Sequence, residues 1–527
     1  MKKLFLAALI SPVLFFSTVF VFPETTAEPE DPGIVLPPML LEIDDLYKEA
    51  IEAVLPDQEA LLSVDIPVTL PEAPKLAFDI ALDVPMPKVD LSLPVQGRGS
   101  AFFTEGTIGI GSMNHIIGDI TLYKLGKEPR FSLQFSHERL DGYGFDNRRF
   151  RPAGAGFFHQ ANNLNGNFSL RPAPFTFETD GDYTEEVEGL QAQSTNYTSI
   201  AHRFLSGTSS LTFNSGLFTV SVGLNVQNVT MTLSGMVPKN DGEFLISPRL
   251  KASVVFSSFS AGIEGAYSFQ LLSGSFGNQS HGLNALVQFR AELPLALTLE
   301  GKAGIDWLSS VNPTLFPFNL SLSGIIRDLF TFRISGGYKV ENRSYFNIWK
   351  VYPFLSMSLP AVRTNGWFTG LSFKGFILKT LTLDFAGDFD YFDDRLTTGG
   401  GIDPVSGLYP MGVTKSSSLG FSAGVSWAPV RIVKFSFFWK GKFLDILMFE
   451  PKQSFQITFA ITNGKENLGT GLSGLWRITD TPQIPELNLN GFLRVSEGVK
   501  FSLDVFDFLS PLTKEGRRTW GVYEDPG

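Results

Sequence analysis

From residue 100 onward the chain alternates apolar and polar residues with a period of two, in run after run of ten or more. In 330–341 one set is Phe330, Phe332, Ile334, Gly336, Tyr338 and Val340. The other is Thr331, Arg333, Ser335, Gly337, Lys339 and Glu341. In 381–391 Leu381, Leu383, Phe385, Gly387, Phe389 and Tyr391 oppose Thr382, Asp384, Ala386, Asp388 and Asp390. Residues 295–307 set Leu295, Leu297, Leu299, Ala303, Ile305 and Trp307 against Thr298, Glu300, Lys302 and Asp306, and 131–137, 218–226, 259–269, 283–291 and 455–461 follow suit. Side chains alternate faces along a strand, so each run predicts a strand with one apolar and one wet face.

Run length decides the kind of sheet. Strands of soluble proteins usually have about five or six residues, whereas a tilted spanning strand needs ~9–11. A sheet in lipid must close on itself, because an open edge leaves backbone groups unpaired. The fold class expected is therefore all-β, a large antiparallel transmembrane β-barrel with its apolar face outward. Fifty Phe beside 51 Gly suit such a sheet, and a mean hydropathy of +0.09 is too low for a bundle of spanning helices. The absence of Cys excludes disulfides, Cys-ligated zinc, iron–sulfur clusters and a lipid-modified Cys. A net charge of −11 argues against a nucleic-acid partner, which needs a basic stripe.

Connections alternate in length. Short turns are expected at 214–216, 257–258, 292–294, 326–328, 378–380, 429–431, 463–465 and 496–498. Longer links are expected near 236–243, 274–281, 342–366, 393–414, 449–453, 480–485 and 510–520. The short set belongs to the periplasm and the long set to the outside, which gives about 22 strands. Further strands are expected near 101–112, 117–125, 130–139, 154–172 and 192–204. The acidic stretch 173–191 falls at a periplasmic connection, and 351–359 reads as an extra strand inside a loop. A last strand is expected to begin near Trp520 and run back to the periplasm; the alternative closes the barrel with 499–509. Of the seven Trp (307, 349, 367, 427, 439, 476 and 520), most fall near strand ends, as an interfacial girdle would place them.

The chain opens differently. Lys2 and Lys3 precede an apolar run from Leu4 to Phe22, followed by Thr25-Thr26-Ala27. Residues 1–27 therefore read as a signal peptide, with an uncleaved anchor as the alternative. Residues 28–98 form a Pro-rich segment, periplasmic or luminal, ahead of a barrel at 99–527. A short helix fits 46–55, where Leu46, Ile51, Val54 and Leu55 share a face; after it the prolines stop helices and exclude central strands, yet Val89, Leu91 and Leu93 still alternate. Two readings remain open, an extended segment lying on a wall or a periplasmic partner, and a linker. In the first, 64–94 occludes the pore.

Chemistry-bearing motifs are few. The histidines are His115, His137, His159, His202 and His281. His137-Glu138-Arg139-Leu140-Asp141 lacks the second His of a zinc-protease helix. No Gly-x-Ser-x-Gly elbow, P-loop or EF-hand loop occurs. Neither an enzyme nor a cofactor or metal is expected; the histidines read either as a His–carboxylate cation site at the outer rim or as plain rim and lumen polarity. The strand phase places Glu264, Arg290, Glu300, Lys302, Asp306, Arg333, Lys339, Glu341, Asp384, Asp388, Asp390, Lys440 and Lys442 toward the lumen. Asp384, Asp388 and Asp390 form an acidic ladder and Lys440 with Lys442 a basic pair. Such charges either orient polar solutes across the pore or bridge along the wall.

The stretch Phe131-Ser132-Leu133-Gln134-Phe135-Ser136-His137, followed by Asp141-Gly142-Tyr143-Gly144, resembles the early barrel of plugless relatives of the TonB-dependent receptor-like outer-membrane barrels. The resemblance covers roughly residues 100–527 and is architectural. It implies location in the outer membrane, contact with its lipid, insertion by the barrel-assembly machinery, and passage or uptake of a small polar solute. A full receptor carries a folded plug, for which the Pro-rich 28–98 is too short. The alternative function is a surface-exposed binding or adhesion barrel with a blocked lumen; a barrel hydrolase comes last.

Overall fold

A computed structural model describes residues 101–524, except 113, 126–127, 143–144, 147–148, 151–155, 327–328, 361, 379, 446–448, 466, 480–483, 497–498 and 510–517. The expected signal peptide, 1–27, and the Pro-rich segment, 28–98, lie outside the described residues.

The alternating runs form one sheet of 22 strands, the wall of a transmembrane β-barrel. Each strand pairs antiparallel with its neighbour in the chain, from Ala101–Ile110 on Ile116–Leu125 to Glu486–Ser496 on Val499–Val505. Val311–Leu315 and Phe318–Ile326 both pair with Leu297–Leu308, so 22 strands fill 21 positions in the wall. Among the described residues no pairing joins Ala101–Ile110 to Val499–Val505.

One rim carries tight turns. At Asn214-Ser215-Gly216 the Asn214 side chain accepts from the Gly216 N–H at 3.0 Å, and Gly216 has φ +83°, where a side chain would be strained. At the next-to-last turn Asn463 accepts from the N–H groups of Asn467 and Leu468 at 3.0 and 3.2 Å. The other rim carries the long loops. Strands reach 20 residues at Met411–Val430 and 18 at Leu381–Thr398. Since ~9–11 residues span the bilayer, these strands continue beyond it at the loop rim. The apolar face is exposed, as Phe385 (59%), Phe389 and Phe459 show.

Four local expectations are corrected. Residues 173–191 are no connection: Phe175–Gly189 is a wall strand between Phe158–Leu170 and Tyr197–Asn214. Its dense Glu and Asp obscured the thin apolar face of Phe175, Phe177 and Tyr183. Residues 351–359 form no wall strand; the loop instead begins with a helix, α1, Tyr345–Val351. The link expected at 236–243 is shorter, because Lys239–Val255 is all strand. Trp349 is no girdle residue but is fully buried in α1, while Trp307, Trp367, Trp427 and Trp476 are exposed.

Candidate functional site

The polar face is tied together by charges on neighbouring strands. Glu300 accepts from Arg290 and from Arg333, each at 3.3 Å, and so links three strands. Lys339 meets Asp390 at 2.6 Å, and Lys374 meets Asp384 at 3.7 Å. Asp388 lies over Gly420, where a Cβ would come within 2.6 Å of its carboxylate; glycine makes that approach possible. Lys442 meets Glu450 at 2.6 Å, and Lys440 stands opposite Ser422 and Ser454. Glu264 is in register with Lys251, and Lys302 with Gln288 and Asn319. Glu341 binds Arg343 at 3.0 Å. Asp306 is buried, held by Arg363 at 3.4 Å, Asn284 at 3.1 Å and Asn342 at 3.0 Å. Of the acidic ladder, Asp384 thus meets Lys374 and Asp390 meets Lys339 along the wall, and the Lys442 partner is Glu450.

The same face bears an apolar patch near the loop rim. Ile200 and Phe204 of Tyr197–Asn214 and Val229, Met231 and Leu233 of Phe218–Gly235 are almost fully buried. They are covered by α1 and the segment after it, through Tyr345, Phe346, Ile348, Trp349, Phe354 and Leu355. Each such side chain contributes ~1.5–3 kcal/mol when taken out of water. Helix α1 is short, so its ends need outside help. The Ser344 side chain caps it, accepting from the Asn347 N–H, and Glu243 of the wall accepts from the Phe346 N–H at 2.9 Å. The indole of Trp349 donates to the Leu355 carbonyl at 2.8 Å, and Pro353 stops the helix from continuing.

Loop 399–410 joins this cap through Leu408, Tyr409 and a Leu355–Tyr409 bridge. Its turn is built by Asp403, which accepts from the Ser406 hydroxyl at 2.6 Å and from the N–H groups of Val405 and Ser406. The Ser406 hydrogen bond, ahead of the others, holds the Asp403 carboxyl below the usual carboxylate range. The third member is Tyr523, fully buried against Phe354. No feature noted in the sequence marked this cap.

Between the cap and the wall lies a cavity of about 170 Å³. Lys339, Glu341, Arg343, Phe392, Arg395 and Glu450 line it, with Tyr352, Thr364 and Leu396. Lys339 and Glu341 are among the residues that the strand phase places toward the lumen; Arg395 and Glu450 sit where a strand passes into a loop, and alternation says nothing about facing there.

The histidines occupy separate places. His115 meets Glu138 at 3.0 Å, His159 meets Glu188 at 2.5 Å, His137 meets Asn162 at 2.7 Å and His281 meets Tyr267 at 2.7 Å. Among the described residues no three His, Asp or Glu side chains are grouped to hold a metal ion. His202 is buried between Phe204 and Trp349, and neither ring nitrogen has a hydrogen-bond partner among the described residues.

Solved structures share this architecture. The ferric enterobactin receptor PfeA of Pseudomonas aeruginosa, in a mutant form, aligns over 78% of this chain and 74% of its own, with TM-score 0.59 and 9% identity. The FrpB iron transporter of Neisseria meningitidis aligns over 78% and 77%, with TM-score 0.60 and 9% identity. The copper transporter OprC aligns over 78% and 74%, with TM-score 0.58 and 12% identity. The likeness is one of fold. No family model and no curated protein matches the chain.

Proposed function

We propose that this chain is an outer-membrane barrel that passes or takes up small polar solutes, entering at the loop rim. The observation that carries the reading is the continuity of the polar face. Glu264, Arg290, Glu300, Lys302, Arg333, Lys339, Asp384, Asp388, Asp390, Lys440 and Lys442 alternate with apolar residues along strands that pair one after another across the wall. In a membrane barrel the exposed apolar face meets lipid and the charged one a wet lumen. Asp306 and Glu341 would extend this lining toward the outer rim. The receptor and transporters named above lend the same direction to the argument, since their fold is adapted to solute entry. The outer-membrane lipid, the barrel-assembly machinery and a small polar solute are the partners this reading requires; residues 28–98 would face the periplasm or the lumen, with room for a periplasmic partner.

The apolar cap favours a second reading, a surface-binding barrel with a closed lumen. Conductance in planar bilayers separates the two. In the transport reading, replacing 344–361 by a short Gly-Ser link raises single-channel conductance well above that of the intact protein. Absence of conductance both with and without the cap would overturn transport. Deleting 64–94 should also raise conductance if that segment narrows the pore; an unchanged value would remove the occlusion reading and leave the periplasmic-partner one standing.

A further inference from the structure

The cavity under the cap gathers several cations around one aromatic ring. Phe392 carries two cations at once: the Lys339 ammonium lies 4.7 Å and the Arg395 guanidinium 5.0 Å from its ring centre. An aromatic face tolerates cations, but two beside one ring repel each other. Each also has one carboxylate, Asp390 for Lys339 and Glu450 for Arg395. Glu450 is shared, since Lys442 reaches its other oxygen at 2.6 Å. Arg343 is matched by Glu341 at 3.0 Å. Among the described residues these four cations thus meet three carboxylates, an excess of one positive charge.

The remaining lining mixes the Thr364 hydroxyl with carbon surface: Tyr352 from the cap and Phe392 and Leu396 from the wall. Inorganic ions have no use for such surface, whereas the carbon skeleton of an organic acid does. Guanidinium groups match carboxylates in shape as well as charge.

We propose that this cavity, between the cap and the Leu381–Thr398 strand, binds a small organic carboxylate. The proposal rests on the solute-handling reading above and names its substrate class. Glu450 is then the internal competitor of the ligand: it neutralises the cations the ligand would use, and it sets how tightly the ligand is held.

The test is equilibrium binding to the full chain in detergent micelles at low salt, with succinate, inorganic phosphate and tetramethylammonium as probes. Succinate should bind more tightly than phosphate, tetramethylammonium should not bind, and added sodium chloride should weaken succinate. Arg395→Gln should weaken succinate about tenfold, and Glu450→Gln should tighten it by about the same factor. The opposite sign in Glu450→Gln sets this apart from a merely structural ion pair, whose loss would only weaken binding. Equal binding of phosphate and succinate overturns the organic class. Binding of tetramethylammonium, or weaker succinate binding in a folded Glu450→Gln, overturns the site. Should Glu450→Gln fail to fold, Lys442→Met serves instead: it removes the excess charge and should weaken succinate, and unchanged binding counts against the proposal. Micelle binding needs no transport, so a barrel that binds succinate but conducts nothing sinks the transport reading alone. One that conducts but ignores succinate sinks this proposal alone.

Discussion

Tyr523 stacks on Phe354 with ring centres 3.7 Å apart and planes 8° from parallel, and its hydroxyl donates to the Gly407 carbonyl. The neighbouring Val522 N–H donates to the Tyr409 hydroxyl at 3.0 Å. The short hairpin of Arg518–Trp520 and Tyr523–Glu524 is thereby fastened to two separate loops of the cap.

Tyr523→Ala should open the cap without unfolding the wall. A fully buried aromatic removed to Ala costs ~3–5 kcal/mol. Hydrogen exchange should rise in 345–359 and 402–410 and stay unchanged in Phe218–Gly235 below the patch. Unaltered exchange in both loops would show that Tyr523 does not hold them. Tyr523→Phe keeps the stack and should cost only ~0.5–1.5 kcal/mol.

His202→Leu should stabilise the cap. An unsatisfied buried polar group costs ~1–3 kcal/mol, and Leu fits an apolar site of this kind. Thermal unfolding of the detergent-solubilised protein should shift upward, or protection of α1 should increase. A lower midpoint would mean that the imidazole has a role its surroundings do not reveal.

The lipid face can be told from the wet one by two adjacent residues. Phe385→Arg should cost ~2–4 kcal/mol in refolding into bilayers if Phe385 lies near the midplane. Asp384→Asn should cost less than ~1 kcal/mol, since its contact with Lys374 is long and exposed. The reverse order would place this strand in the opposite phase.

Topology can be read with epitope tags at Gly401 and Gly464, both in open space. Antibody should label intact cells through the tag at Gly401 and leave the other silent. Labelling of Gly464 alone would invert the barrel.

Much of the wall was legible because one physical rule, alternation of faces, operates throughout it. Phe385 and Asp384 could be assigned without coordinates for that reason. The cap was hidden because it breaks the rule quietly. In 218–226 the apolar residues are even-numbered, Phe218, Val220, Val222, Leu224 and Val226; in 229–233 they are odd, Val229, Met231 and Leu233. The register against Tyr197–Asn214 runs on without a bulge between the two sets. The strand therefore does not turn over; its wet face becomes apolar, and that flip of phase was the signal that something covers it. The charged partners Arg395 and Glu450 gave no such signal, since alternation along a strand decides nothing about where a loop returns to the wall.

The edges of the wall, unjoined among the described residues, carry a constraint of direction. Every step from Ala101–Ile110 to Val499–Val505 is antiparallel and the steps are even in number, so the two edges point the same way. They can meet only as a parallel seam, or with an odd number of strands between them. A β-hairpin inserted there would restore the same mismatch it was meant to cure. A second copy of the barrel in the same membrane, necessarily upright like the first, would also present its edges in the same sense and could extend this sheet only in parallel. What fits antiparallel on both sides is a single strand descending from the loop rim to the turn rim, a keyhole with one orientation of key.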